Sequence, residues 1–396
     1  MKYVVIIGDG MADFPLPELD GKTPLMAAHK PCIDRMAREG FCGKVITVPE
    51  GFSPGSDVAC MSIFGYDPAK YYTGRAPIEA SGMGIGMGDD DVAFRCNLVY
   101  LAKTPQGTLM GDYSGGHITT GEAHVLIKDL HNEIGGYEFV FFPGVSYRHI
   151  MIWKGGPWKM KTTPPHDITE KEIGEYLPNG EGARVLTGLM ERSQTFLANH
   201  PANKRRESEG RYPANSIWLW GQGKKAHFPS FEDQHGVRGA TVAAVDLVKG
   251  ISRLIGFDAP YIEGATGYLD TDYKAKAGAA LKLLESHDIV YVHIEAPDEA
   301  SHNGNVAEKI RAIENIDGEV VSVLYEKSSE DTRFLIVTDH ATPISMKTHY
   351  ACPVPFIMYD KKVGQDGCQS GYSEQSGEVT MSGEEMVRSF LKGQGQ

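Results

Sequence analysis

Met1-Lys-Tyr-Val-Val-Ile-Ile-Gly-Asp-Gly10 opens the chain with a strand pattern that ends in a glycine–acid turn. The apolar run 3–7 has the length of a buried strand. It breaks at a glycine–acid turn with no small-residue cleavage site, so it does not read as a signal peptide. Two later runs repeat the arrangement. Residues 289–294 (Ile-Val-Tyr-Val-His-Ile) lead into Asp298-Glu-Ala-Ser-His302, and residues 333–337 lead into Thr338-Asp339-His340. Short apolar runs of this kind suit parallel strands covered on both faces. Open parallel sheets gather their ligands beyond the carboxyl ends of the strands. Asp9, Asp298, His302, Asp339 and His340 are therefore expected at one sheet edge, with His349 close behind.

The rest of the chain alternates in the same way. Strand-like runs occur at 44–48, 92–100, 138–142, 148–153, 216–220 and 355–359, and helical patterns at 184–199, 240–254, 273–285 and 306–326. Thr119-x-x-Glu122 and Thr169-x-x-Glu172 each fit a capping box, in which Thr and Glu satisfy reciprocal amides at a helix start. The fold class expected is α/β, a largely parallel sheet flanked by helices. Metal-ligand residue types end strands at both ends of the chain, whereas the middle carries only the couple His166-Asp167. Glycine-rich 81–88 and loop-like 157–165 and 203–213 set that middle apart. The expected organisation is a metal-binding core from 1–74 and 226–396, with a smaller α+β domain inserted at 75–225. Within the insert, Lys204-Arg-Arg206 reads as a solvated basic face.

Composition narrows the function classes. A hydrophobic content of 41% with 23% charged residues over 396 positions is that of a soluble globular chain. The net charge of -13 argues against a nucleic-acid binder. Six cysteines without a C-x-x-C pair suit reduced thiols and a cytoplasmic location. No apolar run approaches the roughly 20 residues that span a bilayer.

The chemistry rests on the acids and imidazoles. Each segment alone has a plain reading: Gly8-Asp9-Gly10 as a turn, Asp298 and His302 as a solvated helix start. Together they supply three carboxylates and three imidazoles, enough for two ions, and the mixture suits Mn, Zn, Co or a tolerant Mg site. Ser56, in Ser53-Pro-Gly-Ser56-Asp57, starts the apolar helical segment 58–64. On spacing alone it reads as an N-cap serine; set beside the acid–histidine segments it reads as a nucleophile whose deprotonated form a nearby cation would favour. Arg75, Arg95, Arg148 and His149 provide cations in the insert, for an anionic substrate or for surface ion pairs. His166 and Asp167 either join them or form a loop pair.

In order along the chain, Gly8-Asp9-Gly10, Pro54-Gly55-Ser56-Asp57, Ser62-Ile-Phe-Gly-Tyr-Asp-Pro68, Gly74-Arg75, Phe94-Arg95-x-Asn97, Glu263-Gly-Ala-Thr-Gly267, Asp298-x-x-x-His302 and Thr338-Asp339-His340 resemble the motifs of archaeal-type cofactor-independent phosphoglycerate mutases, in the alkaline phosphatase superfamily. The likeness runs to about residue 360. It implies an alkaline-phosphatase-like core with an inserted cap domain, and Ser56 as the phosphoryl-accepting nucleophile. It implies two divalent ions, manganese foremost among Mn, Mg, Zn and Co, and no requirement for 2,3-bisphosphoglycerate. One ion would be held by Asp298, His302 and His349, the other by Asp9, Ser56, Asp339 and His340. Arg95 and Arg148 become the leading substrate clamp, with closure of the insert as a gate. The reaction implied is interconversion of 3-phosphoglycerate and 2-phosphoglycerate through phosphoserine, in glycolysis and gluconeogenesis. The partner is a small phosphorylated hydroxy acid, with no nucleic acid and no membrane, and the chain acts as monomer or homo-oligomer. The alternative is a related phosphotransferase or phosphohydrolase acting on another small hydroxy acid, homoserine-kinase-like. Val58-Ala59-Cys60 and Ala76-Pro-Ile-Glu79 depart from the family pattern, at places that bear on the substrate more than on the metals.

Overall fold

The computed structural model describes residues 1–105, 107–364 and 367–393. The chain forms two compact units, Met1–Tyr72 with His227–Gln396, and Thr73–Ala226. The first unit holds one seven-stranded sheet built from β1 (Lys2–Gly8), β2 (Phe41–Ile46), β3 (Gly239–Val242), β4 (Ile289–Ile294), β5 (Thr332–Val337), β6 (Val354–Asp360) and β7 (Thr380–Ser382). Their order is β3-β4-β1-β5-β6-β2-β7. Every neighbouring pair is parallel except the two that β6 makes. The α/β reading with a largely parallel sheet therefore holds.

Register places the chemistry. Gly8 lies opposite Ile294 and Ile7 opposite Val337, so the three central strands end level and deliver the residues that follow to one edge. Val4, Ile6, Val290, Val292, Phe334 and Ile336 are fully buried in one core cluster, with residues from helices Pro31–Glu39, Tyr273–Leu284 and Val306–Asn315. Tyr291 faces the other way and stacks on Phe64 at 4.2 Å between ring centroids. Each such side chain contributes roughly 1.5–3 kcal/mol on burial. That core tolerates a strand edge crowded with acids. The helix expected at 306–326 runs through a π-turn at Ile316–Val321, where Asp317 accepts the amides of Cys32 (3.3 Å) and Ile33 (2.7 Å) at the start of helix Pro31–Glu39.

In the second unit, Val92–Thr104 pairs antiparallel with Gly107–Asp112, Arg148–Trp153 and Ser216–Lys224, and Phe139–Phe142 adds to Arg148–Trp153. Helices Thr120–Ile134 and Ala183–Leu197 bury Leu126, Ile127, Leu186 and Leu189 against this sheet. The Thr119/Glu122 capping box is formed.

Four expectations need correction. The helix expected at 240–254 is strand β3 followed by helix Asp246–Leu254, because Gly239–Val242 pairs with β4 and is wholly buried. Thr169 and Glu172 start no α-helix: Glu172 accepts the Gly174 amide at 2.8 Å, and Glu170 sits at a left-handed φ of 65°. Loop-like 203–213 contains the end of helix Pro201–Ser208. Its Arg206 is only 1% exposed rather than solvated, donating to Glu122 (2.9 Å) and to the carbonyls of Tyr212 (2.9 Å) and Gly115 (2.6 Å), which together satisfy its planar fork. Past residue 360, β7 and helix Gly383–Lys392 complete the first unit, the helix opening on a Ser382/Glu385 capping box. Among the described residues no helix is long and apolar enough to cross a membrane, and all six cysteines are free thiols.

Candidate active site

The loop after β1 carries Asp9 and then Gly10, whose φ is 62°. A Cβ on Gly10 would lie 2.7 Å from both Asp298 Oδ1 and Thr342 Oγ1, so glycine is what lets this loop close on its neighbours. Asp339 Oδ1 accepts the amides of Gly10 (3.0 Å) and His340 (2.8 Å). The other oxygen, Asp339 Oδ2, is buried without a hydrogen-bond partner, as is Asp9 Oδ1. Burial, and then the charges of Asp339, Asp298 and Glu295, push the Asp9 carboxyl well above the usual carboxylate range. Carboxylates so crowded and so poor in donors fit a divalent cation.

Imidazoles complete the ligand set. Helix Ala296–His302 carries Asp298 and His302 one turn apart, with His302 Nε2 3.1 Å from Asp298 Oδ2. His349 Nε2 lies 3.5 Å from Asp298 Oδ1 and 3.1 Å from His302 Nε2. His340 Nε2 is 3.2 Å from Asp339 Oδ2 and 3.6 Å from Asp9 Oδ1, and its ring stacks on His349 at 4.0 Å. Each ring is held from its far side: His302 Nδ1 to the Lys347 carbonyl (2.9 Å), His349 Nδ1 to the Pro54 carbonyl (2.7 Å), His340 Nδ1 to Thr342 Oγ1 (3.1 Å). A proton on Nδ1 leaves the Nε2 lone pair facing the acids, the tautomer of a metal ligand. Burial pushes His340 down to about 4, which keeps that lone pair free. At His302 burial acts in the same direction, but the hydrogen bond and charge of Asp298 outweigh it and lift the group to about 9. All six predicted acids and histidines thus converge. Asp9, Asp339 and His340 bring ligand atoms within 4.8 Å of one another, as do Asp298, His340 and His349.

Ser56 stands in the first turn of helix Ser56–Ile63, but Gly55 occupies the cap position. Instead of capping, Ser56 Oγ lies 3.2 Å from His340 Nε2. The helix start adds partial positive charge beside this hydroxyl.

Other residues of the site escape the sequence reading. Thr342, fully buried, donates to Asp298 Oδ1 at 2.6 Å and accepts from His340 Nδ1, joining the two groups of ligands through one hydroxyl. His293, in β4 and fully buried, has Nε2 3.3 Å from Asp9 Oδ2 and Nδ1 2.9 Å from Glu295 Oε1. Glu295 accepts in turn from buried Lys276 Nζ at 3.0 Å. A signal existed for His293, since an imidazole inside a fully apolar strand requires polar partners.

The predicted substrate residues lie in the second unit. Glu79 Oε1 accepts from both Arg75 Nε (2.8 Å) and Arg95 Nη1 (2.9 Å). Arg95 is buried over the Trp220 ring at 4.8 Å, and its Nε has no partner. His149 Nδ1 accepts the Gly144 amide at 2.9 Å, so the neutral ring carries its proton on Nε2, which is also buried without a partner. Burial, helped by His124, Arg95 and Arg148, pushes His149 down to about 3. Exposed Arg148 lies 5.6 Å from the Tyr147 ring. Burial would raise the Glu79 carboxyl, but the charges of Arg95 and Arg75, with a smaller effect of Arg148, hold it below the usual carboxylate range. His166 packs on Trp220, with ring centroids 5.4 Å apart, and on Tyr113 at 6.2 Å, and Asp167, 61% exposed, pairs with His166 at 3.7 Å.

Residues 37–203 match the family model of 2,3-bisphosphoglycerate-independent phosphoglycerate mutase. A probable 2,3-bisphosphoglycerate-independent phosphoglycerate mutase of Geobacter sulfurreducens is 51% identical over 378 residues, covering 95% of each chain. A Pyrococcus horikoshii protein of solved structure is similar at 29% identity and a TM-score of 0.80, over 99% of this chain and 96% of that one. The cofactor-independent phosphoglycerate mutase of Thermoplasma acidophilum is similar at 25% identity and a TM-score of 0.61, over 99% and 98%. With a Ser56-centred acid–histidine site and relatives that match along nearly their whole length, the chain belongs to the 2,3-bisphosphoglycerate-independent phosphoglycerate mutase family.

Proposed function

We propose that this chain interconverts 3-phosphoglycerate and 2-phosphoglycerate, with Ser56 holding the phosphoryl group between two half-reactions. The observation that carries this reading is the 3.2 Å approach of Ser56 Oγ to His340 Nε2 within the acid–histidine cluster. Asp298, His302 and His349 would hold one divalent ion, and Asp9, Ser56, Asp339 and His340 a second, with manganese the preferred ion. Bound there, two cations offset charge on the attacking and leaving oxygens of an in-line displacement.

Ser56 Oγ attacks phosphorus as the O3–P bond of 3-phosphoglycerate breaks, and the serine proton ends on the departing hydroxyl. The amides of the first turn of Ser56–Ile63 favour the phosphoryl oxygens. Glycerate then reorients, its 2-hydroxyl takes the phosphoryl group, and Ser56 regains a proton. Arg75, Arg95, Arg148 and His149 supply the groups that recognise the carboxylate and hydroxyls of the acid. Arg95 Nε and His149 Nε2 are buried donors that lack an acceptor, which supports that role. His166 and Asp167 serve at most at its margin. Water must stay out of the phosphoserine stage, since hydrolysis there would make the chain a phosphatase. Six free thiols agree with a reducing compartment, and we place the enzyme in the cytoplasm.

Incubation with 3-phosphoglycerate and Mn2+, without added 2,3-bisphosphoglycerate, is expected to yield 2-phosphoglycerate and no free phosphate. Phosphohomoserine formed from ATP and homoserine, with no mutase product, would overturn this reading in favour of the homoserine-kinase-like alternative.

A further inference from the structure

Cys60 follows Ser56 by one turn of the same helix. Its Sγ, His293 Nε2 and a carboxylate oxygen of Asp339 all lie within 4.8 Å of one another, and all three residues are fully buried. Sγ is 3.9 Å from His293 Nε2, and Asp9 Oδ2 is 3.3 Å from the same nitrogen. Such ligand-to-ligand separations are close to those a tetrahedral ion imposes with bonds of about 2.0–2.3 Å.

The surroundings of His293 make a second, independent argument. Like the three histidines of the two-ion site, it is tied through Nδ1 to an oxygen, here Glu295 Oε1 at 2.9 Å, and turns Nε2 inward. Glu295 is locked by Lys276 Nζ at 3.0 Å, and the same ammonium donates to the His293 carbonyl at 2.9 Å. A carboxylate fixing the far nitrogen of an imidazole is the usual support of a metal-ligating histidine. Asp339 Oδ2 and Asp9 Oδ1, buried and without hydrogen-bond partners, lie at the same cluster.

We propose that Cys60, His293 and Asp339, assisted by Asp9, form a third cation position that selects a thiophilic divalent ion such as Zn2+. It rests on the two-ion reading above, because it shares Asp339 with that site. Sulfur and imidazole donors favour Zn2+ or Co2+ over Mn2+ and Mg2+, whose preferred ligands are oxygens. Filling the position displaces the thiol proton of Cys60 and any proton on His293 Nε2, both released to solvent. Since Asp339 cannot serve both neighbours equally, a thiophilic ion here weakens the ion beside Ser56. The chain would thereby sense an excess of zinc.

The test titrates the metal-free full chain with Co2+, following bound cobalt and near-ultraviolet absorption. Three Co2+ per chain are expected, with a sulfur-to-cobalt charge-transfer band that added Zn2+ removes. Cys60→Ser and Cys60→Ala should each lose the band and bind two. Two bound ions without a band in the unaltered chain overturn the third position and leave the two-ion reading standing. Fewer than two overturn both. A band that survives the Cys60 substitutions belongs to another thiol and also overturns the inference. Should those variants fail to fold, Glu295→Gln supplies the check: the band's midpoint should move to about tenfold higher Co2+, and an unmoved midpoint contradicts the assignment.

Discussion

Ser56 Oγ lies 3.2 Å from Nε2 of His340, and that nitrogen is itself 3.2 Å from Asp339 Oδ2. A hydroxyl in the first turn of a helix would ordinarily bond local backbone amides; this one is turned to an imidazole delivered by the end of β5. Replacing Ser56 with Ala should lower turnover by at least about a thousandfold, as loss of a nucleophile does. Ion binding should weaken far less, because six other ligand side chains remain. Paired activity assays and metal titrations check this, and appreciable mutase activity in the variant would remove Ser56 from the reaction.

Thr342 joins the two ligand groups, donating to Asp298 Oδ1 at 2.6 Å and accepting from His340 Nδ1. Thr342→Val keeps the shape and deletes both bonds, freeing the His340 ring to turn. Mn2+ affinity is expected to fall about 10- to 100-fold, with Thr342→Ser restoring most of it. Equal affinities for the Val and Ser variants, measured by calorimetry, would reduce Thr342 to a packing residue.

Arg95 is held by Glu79 and by the Trp220 face, with Nε left over. Lysine keeps the charge but loses the fork and the stacking. Arg95→Lys should raise KM for 3-phosphoglycerate about tenfold or more, the equivalent of one charge-assisted hydrogen bond of about 1.5–3 kcal/mol. An unchanged KM would detach the arginine cluster from substrate recognition.

His149 ties pH to the stability of the second unit. Its ionisation is depressed from the ordinary 6.5 to about 3, chiefly by burial. The neutral ring therefore favours folding above pH 6.5, and that contribution is lost as pH falls toward 3, where the unfolded chain binds a proton the folded chain refuses. Between pH 7 and pH 5 the loss should be about 2 kcal/mol. All four tryptophans (Trp153, Trp158, Trp218 and Trp220) belong to Thr73–Ala226, so their fluorescence in urea reports this unit. His149→Gln should flatten that part of the pH dependence. An identical acid limb in the variant would contradict the assignment.

Much of the site was legible because parallel strands that end level force short acid–histidine segments together, whatever lies between them in sequence. Asp9, Asp298 and Asp339 could be read from strand ends alone. His293 could not, since inside Ile289–Ile294 it reads as one polar letter in an apolar strand. Thr342 carries no charge and no motif, and its value comes from the two side chains that meet at its hydroxyl. A basic run such as Lys204-Arg-Arg206 suggests solvent, whereas acceptors from helix Thr120–Ile134 (Glu122) and from the Gly115 and Tyr212 carbonyls make the burial of Arg206 tolerable. Ala240 to Val242 read as helix because a short apolar run has no decisive period, and only pairing with β4 makes it a strand.

In the mechanism proposed, Ser56 carries the phosphoryl group. Intact-mass analysis of the full chain, quenched in acid after a brief pulse of 3-phosphoglycerate with Mn2+, tests this step. One added phosphoryl group that maps to Ser56 and is absent from Ser56→Ala is the result predicted. An unmodified chain under conditions where 2-phosphoglycerate accumulates, or a phosphoryl group on any other residue, would contradict it.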